Sequence, residues 1–180
     1  SCVLGGLVFK HENGKGLNTL SVFGPAGSKL GSYQKNHCFS YTLESEHYLP
    51  GEEIFVFEWQ GFRVCPTICY DLRFPELYRR GTKAGANLFP IIASWPKDRI
   101  DHWDTLLKAR AIENQAIVIG VNRVGEDPKW KYPGHTQIID HQGTILASNS
   151  EEECCVTADV SVEPLQQWRE QFRALDDMKR

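Results

Sequence analysis

From residue 62 to residue 124 the chain alternates short, nearly continuous apolar runs with helical patterns, and this rhythm limits the possible folds more than any other feature. Phe62–Ile68 is almost wholly apolar, as a strand buried on both faces requires. It leads into Cys69-Tyr-Asp-Leu-Arg-Phe-Pro75 and then into Glu76–Lys83, where Pro75 suits the first helical position and Gly85 a stop. Asn87–Ala93 is a second apolar strand. His102–Gln115 places Trp103, Leu106, Leu107 and Ala111 on one stripe behind Asp101 as N-cap, and Ile117–Val124 is a third strand. Strands separated by helices need crossover connections, so this order predicts an α/β fold with a parallel or mixed sheet covered by helices.

The flanking regions read as β-rich. Cys2–Phe9 and Thr19–Phe23 enclose the turn-rich His11-Glu-Asn-Gly-Lys-Gly16, and Glu53–Trp59 joins the Phe62 run through Gln60-Gly61. A hairpin is expected from Thr136–Asp140 and Thr144–Ala147 around His141-Gln-Gly143, then a strand near Cys155–Asp159 and a helix Val162–Ala174. No repeat, low-complexity tract or linker interrupts the 180 residues, which predicts a single domain over 1–180.

Charge and cysteine usage narrow the partners. Lys and Arg number 20 against 23 Asp and Glu, a net charge of −3, and the basic residues are scattered. Phosphate neutralisation needs a clustered basic excess, so no nucleic-acid partner is expected. Apolar stretches such as Ala116-Ile-Val-Ile-Gly-Val121 fall far short of the roughly 20 residues that cross a bilayer, so no membrane partner is expected either. The first residues lack the charged n-region of a signal peptide. Six cysteines without a CxxC pair, and no Asn-x-Ser/Thr sequon, read as free thiols in the cytoplasm. No metal is expected: Cys65 and Cys69 are four apart along a strand, and His37 and Cys38 would point to opposite faces. Gly14-Lys-Gly16 lacks the spacing of a phosphate loop, and Ser94 lacks the Gly-x-Ser-x-Gly elbow.

Cys69 is the residue with the most chemical promise. A catalytic cysteine needs partial exposure, a cationic neighbour and a rigid mount, and Cys69 ends a buried strand one short turn before a helix. That is the carboxyl edge of the sheet, where α/β proteins place their sites. A free cysteine in this position also reads as a small buried hydrophobe.

The string Cys69-Tyr-Asp-Leu-Arg-Phe-Pro-Glu-Leu-Tyr-Arg79, with Tyr33-Gln-Lys-Asn-His-Cys-Phe39 upstream, resembles the nucleophile and lysine motifs of the nitrilase, or carbon-nitrogen hydrolase, superfamily. Ala93-Ser-Trp-Pro96, His102-Trp103, Ala109-Arg-Ala-Ile-Glu-Asn-Gln115, Asn122-Arg-Val-Gly125 and Gly134-His-Thr136 extend the resemblance across the chain, closest to the bacterial omega-amidase branch. The resemblance implies an αββα sandwich and a homodimer, with no cofactor. It implies Cys69 as nucleophile, Lys35 as the cation beside it and Glu44 as a supporting acid. An ammonium near a thiol favours the thiolate and can hold the oxyanion formed on attack, and the Tyr70 backbone N–H is the expected second oxyanion donor. Lys35 read alone is an exposed strand-edge lysine, and Glu44 a solvated loop acid.

Arg73 either grips a substrate carboxylate or forms an ion pair with Asp71 or Glu76, and Trp95 and Phe39 either wall the pocket or belong to the core. The implied reaction is hydrolysis of a small linear amide through a thioester, the favoured substrates being 2-oxoglutaramate and 2-oxosuccinamate. Deaminated glutathione, N-carbamoyl compounds and nitriles are the alternatives. The superfamily carries an earlier βαβα segment with a general-base glutamate that no residue here matches, so the chain is expected to be N-terminally incomplete. The corresponding expectation is an exposed sheet edge with weak turnover, or a silent fragment that acts by dimerisation. An activated Cys69 is expected to alkylate faster near neutral pH than the other five cysteines.

Overall fold

The computed structural model describes residues 1–178. Strands β1 (Val3–Lys10), β2 (Gly16–Phe23) and β3 (Lys29–Gln34) form an antiparallel sheet in that order. β3 escapes sequence reading because Lys29-Leu-Gly-Ser-Tyr-Gln34 has no apolar alternation; its pairing to β2 creates it. A short helix α1 (Glu44–His47) follows.

The larger sheet contains β4 (Phe57–Trp59), β5 (Phe62–Val64), β6 (Thr67–Ile68), β7 (Leu88–Ala93), β8 (Ile117–Asn122), β10 (Lys131–Ile139) and β11 (Ile145–Ser150), with β9 (Val124–Glu126) paired to β10. Its order is β11-β10-β8-β7-β5-β4, with β6 also on β7. Pairings of β7 with β5, β6 and β8 are parallel and the rest antiparallel, the mixed sheet that the crossover order demands. Helices α2 (Pro75–Lys83) and α3 (Ile100–Asn114) supply the crossovers, and α4 (Val162–Gln171) comes last.

Several boundaries differ from expectation for local reasons. The apolar run 62–68 breaks at Cys65-Pro66, since proline has no N–H for a ladder. Of Glu53–Trp59, only Phe57–Trp59 finds a strand partner. A 3-10 turn, Lys97–Arg99, precedes α3, so Asp101 lies in the first helical turn and is not the N-cap. Residues 155–159 form no strand; Val156 and Ala158 are half-buried in alternation, but among the described residues no strand pairs with their backbone. The terminal helix stops at Gln171, and a 3-10 turn covers Ala174–Asp177.

α2 and α3 cover one face of the larger sheet. The Tyr78 and Phe89 rings lie 5.3 Å apart, and α3 presses so close to β8 that a Cβ at Gly120 would come within 2.5 Å of Leu107. Trp103 and Leu107 are fully buried there, each contributing about 1.5–3 kcal/mol. On the opposite face Ile92 of β7 meets Gly6 of β1, so the two sheets face one another, while Leu165 of α4 packs with Phe62, Val64 and Ile117. Gly85, at φ +88°, ends α2 in a conformation that glycine adopts without strain. Among the described residues, no helix is long and apolar enough to cross a membrane.

Candidate active site

Cys69 follows β6 and opens a 3-10 turn, Cys69–Arg73, that runs to Phe74 before Pro75 starts α2. Its φ of +49° is left-handed, which costs a residue with a Cβ about 1–2 kcal/mol. The surrounding hydrogen bonds hold it there. Ser94, just past β7, donates its N–H to the Cys69 sulfur.

Asp71 anchors the turn. Its carboxylate is fully buried and accepts the Ile68 N–H at 3.1 Å, the Tyr33 hydroxyl at 2.7 Å, the His37 N–H at 2.9 Å and His37 Nδ1–H at 2.8 Å. The His37 ring stacks on Phe74 at 3.7 Å. These contacts bind the end of β3 and the segment after it to the Cys69 turn, so residues 34 apart in sequence behave as one rigid unit.

Lys35 lies in that segment and is 4% exposed, not a surface lysine. Its Nζ is 2.6 Å from Glu44 Oε2. Glu44 also accepts the Phe39 N–H at 2.6 Å and Asn18 Nδ2–H at 3.1 Å. Burial pushes the Glu44 carboxyl up, but these bonds and the Lys35 charge outweigh it and hold it below the usual carboxylate range.

Lys35 and Cys69 line one open cavity of about 360 Å³ with Asn18, Ile68, Ile92 and Ser94. Cys69 also lines a smaller neighbouring cavity with Phe39, Tyr70, Arg73, Trp95 and Arg99. The expected residues therefore converge, with Cys69 shared by both spaces and the Tyr70 backbone immediately after it. A resting thiolate is not what this arrangement favours. Burial raises the Cys69 thiol above its ordinary range; Lys35 and the Ser94 N–H pull it down, and Glu44 and Asp71 push it further up. The physical reason is that burial outweighs the Lys35 charge, which Glu44 partly matches.

Arg73 pairs with neither Asp71 nor Glu76 among the described residues. Its guanidinium stacks 4.7 Å from the Trp95 ring centroid and meets His102 Nδ1 at 3.2 Å. Trp95 is both core and wall: it packs on Trp103 at 5.5 Å and carries Arg73 on its face. Asn122 clamps its backbone, accepting the Trp95 N–H at 2.6 Å and donating to the Trp95 carbonyl at 3.0 Å. Phe39 packs against Tyr70 at 4.7 Å.

Sequence reading missed Asn18 and Arg99, weighed Ser94 only as a nucleophile, named Asn122 only within a family motif, and gave Asp71 no role beyond the Cys69 motif and a pairing with Arg73. Asn122 left a faint signal, a polar residue closing an apolar strand; Arg99 left none.

The carbon-nitrogen hydrolase family model matches residues 1–170. The chain belongs to the carbon-nitrogen hydrolase family. It is 37% identical over 178 residues to 2-oxoglutaramate amidase of Bacillus subtilis, covering 99% of this chain and 69% of that protein. Omega-amidase YafV of Yersinia enterocolitica is 41% identical over 177 residues, covering 97% of this chain and 68% of the relative. The crystal structure of XC1258 from Xanthomonas campestris, a CN-hydrolase superfamily protein with an arsenic adduct in its active site, superposes with a TM-score of 0.93 at 34% identity, covering 99% of this chain and 69% of that one. This carbon-nitrogen hydrolase thus spans about two thirds of the length of those proteins. Among its described residues, no group of three or more His, Cys, Asp or Glu side chains is placed to hold a metal ion.

Proposed function

We propose that this carbon-nitrogen hydrolase cleaves the terminal amide of a 2-oxo dicarboxylic acid monoamide, such as 2-oxoglutaramate or 2-oxosuccinamate, through a thioester on Cys69. The observation that carries the reading is the placement of Cys69 and Lys35 on the wall of one cavity. The names of its relatives, 2-oxoglutaramate amidase and omega-amidase, support the substrate class.

Sγ attacks the amide carbon while Lys35 and the Tyr70 N–H hold the oxyanion. The C–N bond breaks, and the thiol proton leaves with the nitrogen as ammonia. Water then cleaves the thioester, giving the acid and restoring the thiol. Glu44 acts as the positioning residue that orients Lys35; held ionised by three donors, it makes a poor proton acceptor. Arg73 receives the carboxylate, and Trp95 and Phe39 wall the space around the substrate chain. Six free cysteines support a reducing, cytoplasmic setting, and the family likeness supports a homodimer, which the particle mass in solution checks.

Ammonia release from 2-oxoglutaramate, an N-carbamoyl amino acid and a nitrile tests the substrate class. The expected result is a kcat/KM for 2-oxoglutaramate at least tenfold above the others, about 1.4 kcal/mol of transition-state preference. An N-carbamoyl compound that outran it tenfold would overturn the reading.

Thiol chemistry supplies a second check. Because the Cys69 thiol is raised, its thiolate fraction grows as pH climbs through the alkaline range. Iodoacetamide followed by peptide mapping is expected to label exposed Cys154 and Cys155 before Cys69 at pH 7, the reverse of the sequence-based expectation. The Cys69 rate is expected to rise with pH beyond the ordinary thiol value near 8.5. A Cys69 rate that levelled off below pH 7 would show that the Lys35 charge prevails over burial.

A further inference from the structure

Two guanidiniums share the smaller cavity beside Cys69, and neither has a carboxylate partner among the described residues. Arg73 is held by cation–π contact with Trp95 and by His102. Arg99, in the 3-10 turn before α3, lies with its guanidinium 5.8 Å from the Phe39 ring centroid. Its backbone is fixed because Trp95 Nε1–H donates to the Arg99 carbonyl at 2.7 Å. Burial lowers the Arg73 guanidinium from its ordinary range; Tyr70 and Cys69 oppose this, and repulsion from Arg99 adds to it.

Two like charges gathered in a partly desolvated space repel unless an anion lies between them, and planar guanidiniums match a carboxylate best. Besides Cys69, the rest of the wall, Phe39, Tyr70, Ser94, Trp95 and Pro96, offers aromatic, aliphatic and neutral polar surface and no acid. Cys69 is on the same wall, so an anion held here keeps the rest of a short ligand beside the sulfur.

We propose that Arg99 is the second half of a two-guanidinium carboxylate subsite, and that with Arg73 it makes this enzyme select amides bearing a distal carboxylate over neutral amides. This rests on the amidase reading above and deepens it. Arg99 discriminates by charge: a neutral amide leaves the two cations uncompensated, whereas a carboxylate separates and pairs them.

The test uses the 180-residue chain and its Arg99→Gln and Arg99→Lys variants, with two readouts. The first is protection of Cys69 from iodoacetamide by 2-oxoglutarate, scored as the ratio of labelling rates without and with ligand. Protection is expected in the parent chain, with half-protection needing at least tenfold more 2-oxoglutarate in Arg99→Gln and an intermediate amount in Arg99→Lys. The second is the ratio of kcat/KM for 2-oxoglutaramate to that for butyramide, expected to fall at least tenfold in Arg99→Gln. If the parent is protected and prefers the carboxylate substrate while Arg99→Gln matches it in both readouts, the subsite is wrong and the amidase reading stands. If the parent prefers butyramide and 2-oxoglutarate gives no protection, the substrate class itself is wrong. A thermal melt of each variant separates misfolding from lost binding; Arg99→Lys, which keeps the charge, must then recover part of the effect.

Discussion

Cys69→Ser is expected to lower turnover by at least about 10⁴-fold while the melting temperature stays close to that of the parent chain. The substitution is nearly isosteric, and the oxygen inherits the same left-handed turn and the same cavity. What it lacks is activation. The hydrogen bond to the cysteine sulfur comes from a donor, the Ser94 N–H, and the nearby cation stabilises negative charge without removing a proton. A hydroxyl loses its proton far less readily than a thiol, so a site that tolerates a raised thiol leaves a serine inert. Ammonia release measured alongside a thermal melt checks this; residual activity within about a hundredfold of the parent would remove Cys69 from the reaction.

Asp71→Ala is expected to cost about 3–5 kcal/mol of stability and, in whatever fraction stays folded, about 10²-fold or more in kcat. Four donors converge on this buried carboxylate: the Tyr33 hydroxyl, the Ile68 N–H, and the backbone N–H and ring Nδ1–H of His37. Removing it strands them where water does not replace it. It also releases the segment that carries Lys35 from the turn that carries Cys69. Asp71→Asn keeps the shape but turns an amide donor toward one set of donors, so an intermediate loss is expected. Denaturant melts give the stability term, and kcat against KM separates misplacement of Lys35 from weaker binding. The contrast is Glu58, whose 3.9 Å pairing with Arg63 is on the surface: Glu58→Ala is expected to change stability by less than about 0.5 kcal/mol. A loss at Asp71 no greater than that would break the link drawn between the two motifs.

The parts of this chain that could be read in advance share one property: their signal lies within a dozen residues. Pro75 and Gly85 bracket α2, the apolar runs mark β7 and β8, and Trp103, Leu107 and Ala111 recur at helical spacing. The parts that misled are those where a partner strand decides. Lys29–Gln34 has no strand pattern and is a strand because β2 pairs with it; residues 155–159 have the pattern and pair with no strand among the described residues.

The candidate site divides in the same way. Cys69 was legible because the turn after an apolar strand is written in consecutive residues, and Lys35 and Glu44 became legible only through likeness to a family. That Lys35 is buried against Glu44, that Asp71 ties both motifs together and that Arg99 stands beside Arg73 are facts of tertiary placement. Burial of the sulfur, which raises its thiol, is likewise a consequence of folding. Order along the chain determines the α/β alternation and mounts a cysteine at the sheet edge, because backbone propensity and periodicity act locally. Desolvation, ion pairing and the meeting of two arginines depend on distances between segments remote in sequence, and only the folded chain sets those.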